Sequence, residues 1–519
     1  MGNNLLLTSI SDIALEMGDA PFGSNLKNSD YTDDGVLVVQ GRNVTGRVFT
    51  WSNNRYVSLV KYNSIPRSHC FVGDLIFPKV GTIGKVGRLS ACEGYDKYIL
   101  STNTMRLRVD PKKANPLFVY YYFTWKKTVN LIQAMNSKSV QPVFNFTTLK
   151  KFPIGLPPRR SQDFSAKTLD SIDNKIELNQ KTNQTLEQMA QALFKSWFVD
   201  FDPVFDNLLA NADFKLENFE NSLPDELKQK AQRRLAALNS LENATQCKAS
   251  LSALAHELQA QLPTKEATQA AVQVSEKAAE TPVKANFNAN PNILAQHAST
   301  HAHFPNEFEH NEQLGWIPKG WESKTIDELC KINPESWTKK NAPEVVKYVD
   351  LANAKNGSVG EAIEYSFSEA PSRARRVLRP HDTIIGVVRP ANRSFAYVNE
   401  DNLTGSTGFA VVRANNQNCR AFAYFSLTND DCIQEFTRIA DGAAYPAIKP
   451  EDVAKTYCVY SNNKILDAFE SSIGKFMTKV AKNEQQNRYL TKLRDTLLPK
   501  LISGELQIPD VTTDEETVN

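Results

Sequence analysis

Asn179-Gln180-Lys181-Thr182-Asn183-Gln184-Thr185-Leu186 lies over Asn483-Glu484-Gln485-Gln486-Asn487-Arg488-Tyr489-Leu490, with asparagine at the first and fifth places and leucine at the last place of both stretches. Working outward from this match, a β-rich unit that ends in a long helix recurs at a displacement of roughly 304 to 316 positions, starting with Ile13 near Leu329. Each closing helix, of about 37 residues, steps by threes and fours. Leu169, Ile172, Ile176, Asn179, Asn183, Leu186, Ala190, Leu193 and Trp197 are answered by Ile473, Phe476, Val480, Asn483, Asn487, Leu490, Arg494, Leu497 and Leu501. This is coiled-coil spacing, and two helices with the same seam are expected to pack on each other. Asparagine in mid-seam weakens such a pair but fixes its register, a role that falls to Asn179, Asn183, Asn483 and Asn487. The plainer alternative is that each helix only caps its own domain.

The strands repeat as well. Leu37 to Gly46, an apolar run entering a polar turn, is answered by Lys347 to Gly357. Gly73-Asp74-Leu75-Ile76-Phe77-Pro78-Lys79-Val80-Gly81-Thr82-Ile83-Gly84-Lys85-Val86-Gly87 reads as a buried strand, a glycine-marked turn and a return strand, and His381 to Val398 answers it. Ser101 to Val109 is matched by Ser406 to Arg413, and a short aromatic helix, Leu117 to Trp125, by Ala421 to Leu427. The expected fold class is α+β: two similar β-rich domains, each followed by a long helix, the helices forming an antiparallel coiled coil with pseudo-twofold symmetry. Such an object suits a two-part target.

At 519 residues the chain can bury two or more cores. No apolar run approaches membrane-spanning length, and Met1 to Leu7 lacks a basic stretch or a serine or threonine at position six. A soluble, cytoplasmic protein with no membrane partner is expected. Cys70, Cys92, Cys247, Cys330, Cys419, Cys432 and Cys458 form an odd set without a Cys-x-x-Cys pair, so neither a disulfide framework nor a zinc site is expected. The net charge is uneven along the chain. Residues 1–160 hold 21 Lys and Arg against 10 Asp and Glu, a net +11, whereas residues 203–315 hold 9 against 14, a net −5. A polyanion such as DNA is the natural partner of the basic domain.

Residues 203–315 have no counterpart in the repeat. Ser222-Leu223-Pro224-Asp225 opens one or two helices, and Thr264 to Gln313 reads as a mobile linker whose His297, His301, His303 and His310 lie in low-complexity sequence without a rigid element to shape a metal site. Catalytic motifs fail on inspection. Gly81-Thr82-Ile83-Gly84-Lys85-Val86 lacks the Ser or Thr and the spacing of a phosphate loop. Asn115-Pro116-Leu117-Phe118 and Asp202-Pro203-Val204-Phe205 lack the second proline of an amino-methyltransferase motif, and no glycine-rich cofactor loop accompanies them. The chain reads as a recogniser of DNA without catalytic residues of its own.

The two copies, their helices, Leu156-Pro157-Pro158-Arg159-Arg160-Ser161-Gln162, Phe194-Lys195-Ser196-Trp197-Phe198-Val199-Asp200-Phe201-Asp202-Pro203 and Leu314-Gly315-Trp316-Ile317-Pro318-Lys319-Gly320-Trp321 together resemble the specificity subunit of type I restriction-modification enzymes. The resemblance covers nearly the whole chain except the insert. It implies target-recognition domains at 1–160 and 316–462, spacer helices at 161–202 and 463–506, the insert at 203–315 and a disordered tail at 507–519. It further implies that each domain reads one half of a bipartite, asymmetric site in double-stranded DNA while the helices act as a ruler. The chain would recruit two methyltransferase subunits and, through them, restriction and translocation subunits. S-adenosylmethionine, ATP and magnesium would then belong to those partners, with no cofactor in this chain. A stand-alone coiled-coil DNA-binding or scaffold protein and a single-chain adenine methyltransferase are the competing classes.

Donor side chains near turns supply the candidate DNA contacts. In the first domain these are Lys79, Lys85, Arg88, Asn103 and Gln141 of the loop Ser139-Val140-Gln141-Pro142. In the second they are Arg373, Arg375, Arg376, Arg389, Asn392, Arg393 and Tyr445. Lys79-Val80-Gly81-Thr82 facing Arg389-Pro390-Ala391-Asn392 implies two different half-sites. Trp197, Phe198 and Phe201 form an aromatic cluster that is expected either to be exposed as an anchor for a partner or to pack against the chain's own segment near Leu501.

Overall fold

The computed structural model describes residues 5–21, 25–47, 49–135, 144–219, 223–240, 245, 248, 251 and 303–506. The chain divides into two compact units: unit 1 is Met1–Asn179 with Glu484–Asn519, and unit 2 is Gln180–Asn483. Both long helices therefore belong in part to each unit.

In unit 1, strands β1 (Ala14–Gly18), β2 (Val36–Val39), β3 (Leu75–Pro78), β4 (Gly87–Arg88), β5 (Tyr98–Leu100) and β6 (Thr104–Val109) build two sheets. One has the order β1-β6-β3-β4; the other is centred on β2 and β5, which run parallel. All four residues of β2 and of β3 are buried, which is why their sequences are unbroken apolar runs rather than alternating ones. Helix α1 (Pro116–Thr124) packs its aromatic residues beneath the first sheet. Its end is set by Asn115, whose side chain accepts from the amides of Leu117 and Phe118 ahead of a proline that fits a first helical turn. Helix α2 (Lys126–Met135) follows, and then the long α3 (Arg159–Phe198).

Unit 2 repeats this plan. After α4 (Asp202–Asn211) and α5 (Asp225–Asn239), strands β7 (Cys330–Ile332), β8 (Val345–Val349), β9 (Thr383–Gly386), β10 (Phe395–Tyr397), β11 (Leu403–Ser406) and β12 (Phe409–Ala414) give a sheet of order β7-β12-β9-β10 and a second one around the parallel pair β8 and β11. Helices α6 (Arg420–Thr428), α7 (Asp430–Ile439) and α8 (Asn463–Ile502) complete it. α3 and α8 each have 40 residues and are displaced by 304 at both ends.

An ion pair that repeats with the strands fastens the first sheet of each unit. Arg108 grips Asp74 through Nε at 2.8 Å and Nη2 at 3.0 Å, and Arg413 grips Asp382 through the same atoms at 2.7 and 2.8 Å. Both carboxylates are buried and also accept a backbone amide, from Phe71 and Arg379 respectively. Bidentate, charge-assisted bonds of this kind are the strong ones, and they hold a buried charge that would otherwise be expensive.

The helices pair antiparallel within each unit. In unit 1, Ser165 meets Leu501, Asp173 meets Arg494 and Asn179 meets Asn487: as one number rises the other falls. In unit 2, Asn183 meets Asn483, and Phe194, Trp197 and Phe198 stack against Phe469. The Asn179 amide donates to Asn487 at 2.9 Å and to Gln486 at 2.8 Å, while the Asn483 amide donates to Asn183 at 2.7 Å. Shifted by 304, donor and acceptor of the first asparagine bond become donor and acceptor of the last. All four asparagines expected in the seam thus meet across it.

Two expectations change. Trp197, Phe198 and Phe201 are buried, in contact with Phe304, Phe308, Trp321, Phe422 and Phe469 of unit 2. They are core, neither an exposed anchor nor neighbours of Leu501, because antiparallel pairing places the end of α3 beside the start of α8. Of the stretch expected as linker, the described residues 303–313 are built in: Phe304 is buried, and Phe308–Asn311 pairs with Gly315–Pro318. Arg234 of α5 binds Asp206 bidentately at 2.7 and 2.6 Å and lies 3.2 Å from Asp202, all three side chains being enclosed. The described part of the insert is an annex of the unit 2 core.

Candidate nucleic-acid interface

In unit 1 the candidates gather around the turn that joins β3 to β4. Lys79 begins it, but its ammonium is held 2.7 Å from Asp19, and its amide donates to the carbonyl of Asn103 at 2.9 Å. The amide of Phe144 donates to the Lys79 carbonyl at 3.1 Å, so a second loop closes on the first. Lys85, Arg88 and Asn103 are exposed, whereas Gln141 lies outside the described residues. Lys79, a candidate DNA contact, is thus paired with a carboxylate of its own domain.

The corresponding turn of unit 2 joins β9 to β10 and is zipped to the segment 441–448. The Ile448 amide donates to the Val387 carbonyl at 2.9 Å, and the Arg389 amide donates to that of Pro446 at 2.7 Å; within the segment, Asp441 and Ala447 exchange two bonds with each other. The bonds from Phe144 to Lys79 and from Ile448 to Val387 are counterparts, which sets the displacement here at 308. Lys79 therefore corresponds to Val387, and Arg389 to Gly81, correcting the sequence alignment by two places. The Arg389 guanidinium lies 4.6 Å from the centroid of the Tyr445 ring, which is 69% exposed, and donates to the carbonyl of Ala444 at 2.9 Å. Asn392 is exposed, and Arg393 forms an ion pair with Asp430 at 2.7 Å.

Arg373, Arg375 and Arg376 form a second group at the start of the strand Ala374–Leu378. Arg373 donates to the Tyr348 hydroxyl at 2.9 Å, Arg375 lies over the Phe367 ring at 4.7 Å, and Arg376 donates to Ser336 at 3.3 Å. Burial pulls the Arg376 guanidinium below its ordinary pKa, the mark of a side chain committed to the fold. Exposed, stacked cations such as Arg389 can address phosphates or base edges; half-buried Arg376 is tied to Ser336 instead.

Burial pushes the thiols of Cys419, Cys432 and Cys458 up to about 11, 12 and 12, so they stay protonated at neutral pH. Among the described residues no group of three or more His, Cys, Asp or Glu is placed to hold a metal ion, and no helix is long and apolar enough to cross a membrane. Sequence reasoning missed the Asp74–Arg108 and Asp382–Arg413 grips, although an aspartate directly before the buried strand in both copies was a visible signal.

Residues 10–188 match the family model described as the type I restriction modification DNA specificity domain. The chain is 23% identical over 448 residues to the type I restriction enzyme HindI specificity subunit of Haemophilus influenzae, covering 84% of this chain and 86% of that one. It is 24% identical over 451 residues to the MjaIX specificity subunit of Methanocaldococcus jannaschii, covering 84% and 80%. The crystal structure of a type I restriction-modification S subunit from M. genitalium aligns over 96% of both chains at 13% identity, with a TM-score of 0.48. In its sequence match in the first unit, and in its relatives over most of its length, the chain is similar to the specificity subunits of type I restriction-modification enzymes.

Proposed function

We propose that this chain is the DNA-recognition subunit of a type I restriction-modification complex, and that each unit reads one half of a bipartite, asymmetric site. The observation that carries this reading is the repeat itself. The same pair of sheets, closed by the same ion pair, presents a turn of different chemistry in each unit: Lys79 to Gly87 in one, Val387 to Ala396 in the other. A framework kept constant around a variable donor-bearing turn is what two different half-sites require, since base edges are read by side-chain donors while phosphate contacts carry no sequence information. The paired helices, each about 60 Å long at 1.5 Å per residue, would set the spacing between the half-sites.

On this reading the chain itself is not catalytic. Two methyltransferase subunits would bring S-adenosylmethionine, and restriction and translocation subunits reached through them would use ATP and magnesium. The complete complex, expressed in a host lacking other methyltransferases, is expected to methylate adenine within one two-part motif with an unread spacer, as read by sequencing of modified bases. A continuous motif, or methylation that persists when this chain is omitted, would refute the assignment.

A further inference from the structure

The turn after β3 and the turn after β9 leave and rejoin their strands in equivalent registers, the second being one residue longer. Ile76 pairs with Gly87 and Ile384 with Ala396, so Gly81 and Arg389 both stand five residues past the first partner, and Gly84 and Arg393 both stand three before the second. All four residues have left-handed backbone: φ is 78° at Gly81, 92° at Gly84, 51° at Arg389 and 54° at Arg393. Each turn thus holds two positions at positive φ, one at the same distance from its start and one at the same distance from its end. That conformation drives the Cβ of an L-residue against its own carbonyl, and glycine alone adopts it freely. Unit 1 fills both positions with glycine, as stability dictates. Unit 2 fills both with arginine.

What the arginines contribute must therefore lie outside the stability of the turn, and strain kept at an exposed position points to a ligand. Arg393 is accounted for within the fold by Asp430 at 2.7 Å. Arg389 is not. Its guanidinium rests on the exposed Tyr445 ring and touches one backbone carbonyl, and among the described residues no carboxylate pairs with it. Its backbone is clamped through the bond to Pro446 and the bridge between Val388 and Ala447. A planar cation is thus held over an exposed aromatic face by two loops bonded to each other.

Resting on the DNA-recognition role above, the geometry points to Arg389 as the specificity-determining residue of unit 2, taking the O6 and N7 acceptors of a guanine in the major groove while Tyr445 fixes the plane of the guanidinium. Guanidinium and guanine edge match as a two-pronged donor and acceptor pair, and stacking removes rotamers that free arginine would lose on binding. Gly81, lacking a side chain, reads no base at the equivalent place in unit 1.

The test is the methylated motif produced by complete complexes carrying Arg389→Gly or Arg389→Lys, together with the melting temperature of each variant. The half-site read by unit 2 is expected to contain a G·C pair in the unaltered complex. With Arg389→Gly that one position becomes degenerate, discrimination falling about tenfold or more, while the other half-site is unchanged and the melting temperature is the same or higher. Arg389→Lys, which keeps the charge but not the planar fork, is expected to relax the same position. An unchanged motif in both variants would overturn the assignment while leaving DNA recognition intact. Loss of all methylation together with a lowered melting temperature would make Arg389 a structural residue and overturn it too. If the unaltered complex yields no two-part motif, the DNA-recognition role itself falls, and the assignment with it.

Discussion

The two units solve one packing problem, the junction of helix pair and recognition domain, in opposite ways. In unit 1 the Tyr121 hydroxyl donates to Asp173 at 2.8 Å, and Arg494 donates to the same carboxylate at 3.0 Å. At a displacement of 304, the equivalents in unit 2 are Phe425, Met477 and Ala190. The contrast extends along the helices: Ser165, Leu498, Leu501 and Ile502 of unit 1 answer to Phe469, Phe194, Trp197 and Phe198 of unit 2. Unit 2 covers its aromatic residues with α4, α5 and the Phe308–Asn311 hairpin. Identical backbone registers thus accept either a polar triad around the buried Asp173 carboxylate or an apolar cluster. What the repeat preserves is the geometry of the scaffold; the side chains that stabilise it are free to diverge.

The largest effect is expected where unit 2 departs most from unit 1. Arg234→Leu leaves the buried carboxylates of Asp206 and Asp202 without their counter-charge and should cost about 3–5 kcal/mol, read from urea unfolding; a loss below about 1 kcal/mol would show that the annex does not belong to the core. In unit 1, Asp173→Asn removes the charge that holds Arg494 and should cost about 1.5–3 kcal/mol. Installing all three unit 2 residues together, as Tyr121→Phe, Asp173→Met and Arg494→Ala, should restore stability or exceed it, since replacing a buried ionic group by packed apolar residues is often neutral or stabilising. If the triple variant is worse than Asp173→Asn alone, the two solutions are not interchangeable.

A smaller effect is carried by pH. Burial pushes the Asp202 carboxyl up to about 6, despite Arg234 beside it. The folded chain therefore keeps this proton between about pH 4 and pH 6 while the unfolded chain releases it, and the group's contribution to stability declines as pH rises through that window. Asp202→Asn should match the parent near pH 4 and increasingly exceed it up to about pH 6, the gap then holding at pH 7.5, in urea midpoint. A difference that does not change with pH would mean that Asp202 is charged throughout.

Much of this architecture was legible because helices and strands tolerate changes in the loops between them. The displacement read from sequence, roughly 304 to 316, is realised in steps: 316 for Ile10–Ile13 and Ile326–Leu329, 308 for β3 and β9, 305 for β6 and β12, and 304 from α1 and α6 onward. The asparagine seam was legible for the same reason, as polar residues at fixed places in an apolar stripe. The site was legible only in outline. Composition marks Lys79 as a donor but does not show Asp19, 60 positions away, beside it. The aromatic end of α3 looked available to a partner because its cover comes from residues with no helical period, Phe304 and Phe308 among them. The left-handed arginines emerged only when the strand registers aligned them with glycines.

Independent reading by the two units is the central claim, and exchanging one of them tests it most directly. Residues 9–150 would be replaced by the equivalent domain of a relative, leaving α3, α8 and all of unit 2 in place, and the methylated motif of the complete complex would be determined by sequencing. One half-site is expected to change its bases while the other half-site and the spacer length stay the same. Simultaneous change in both half-sites would contradict the account, because the units would then not read DNA separately.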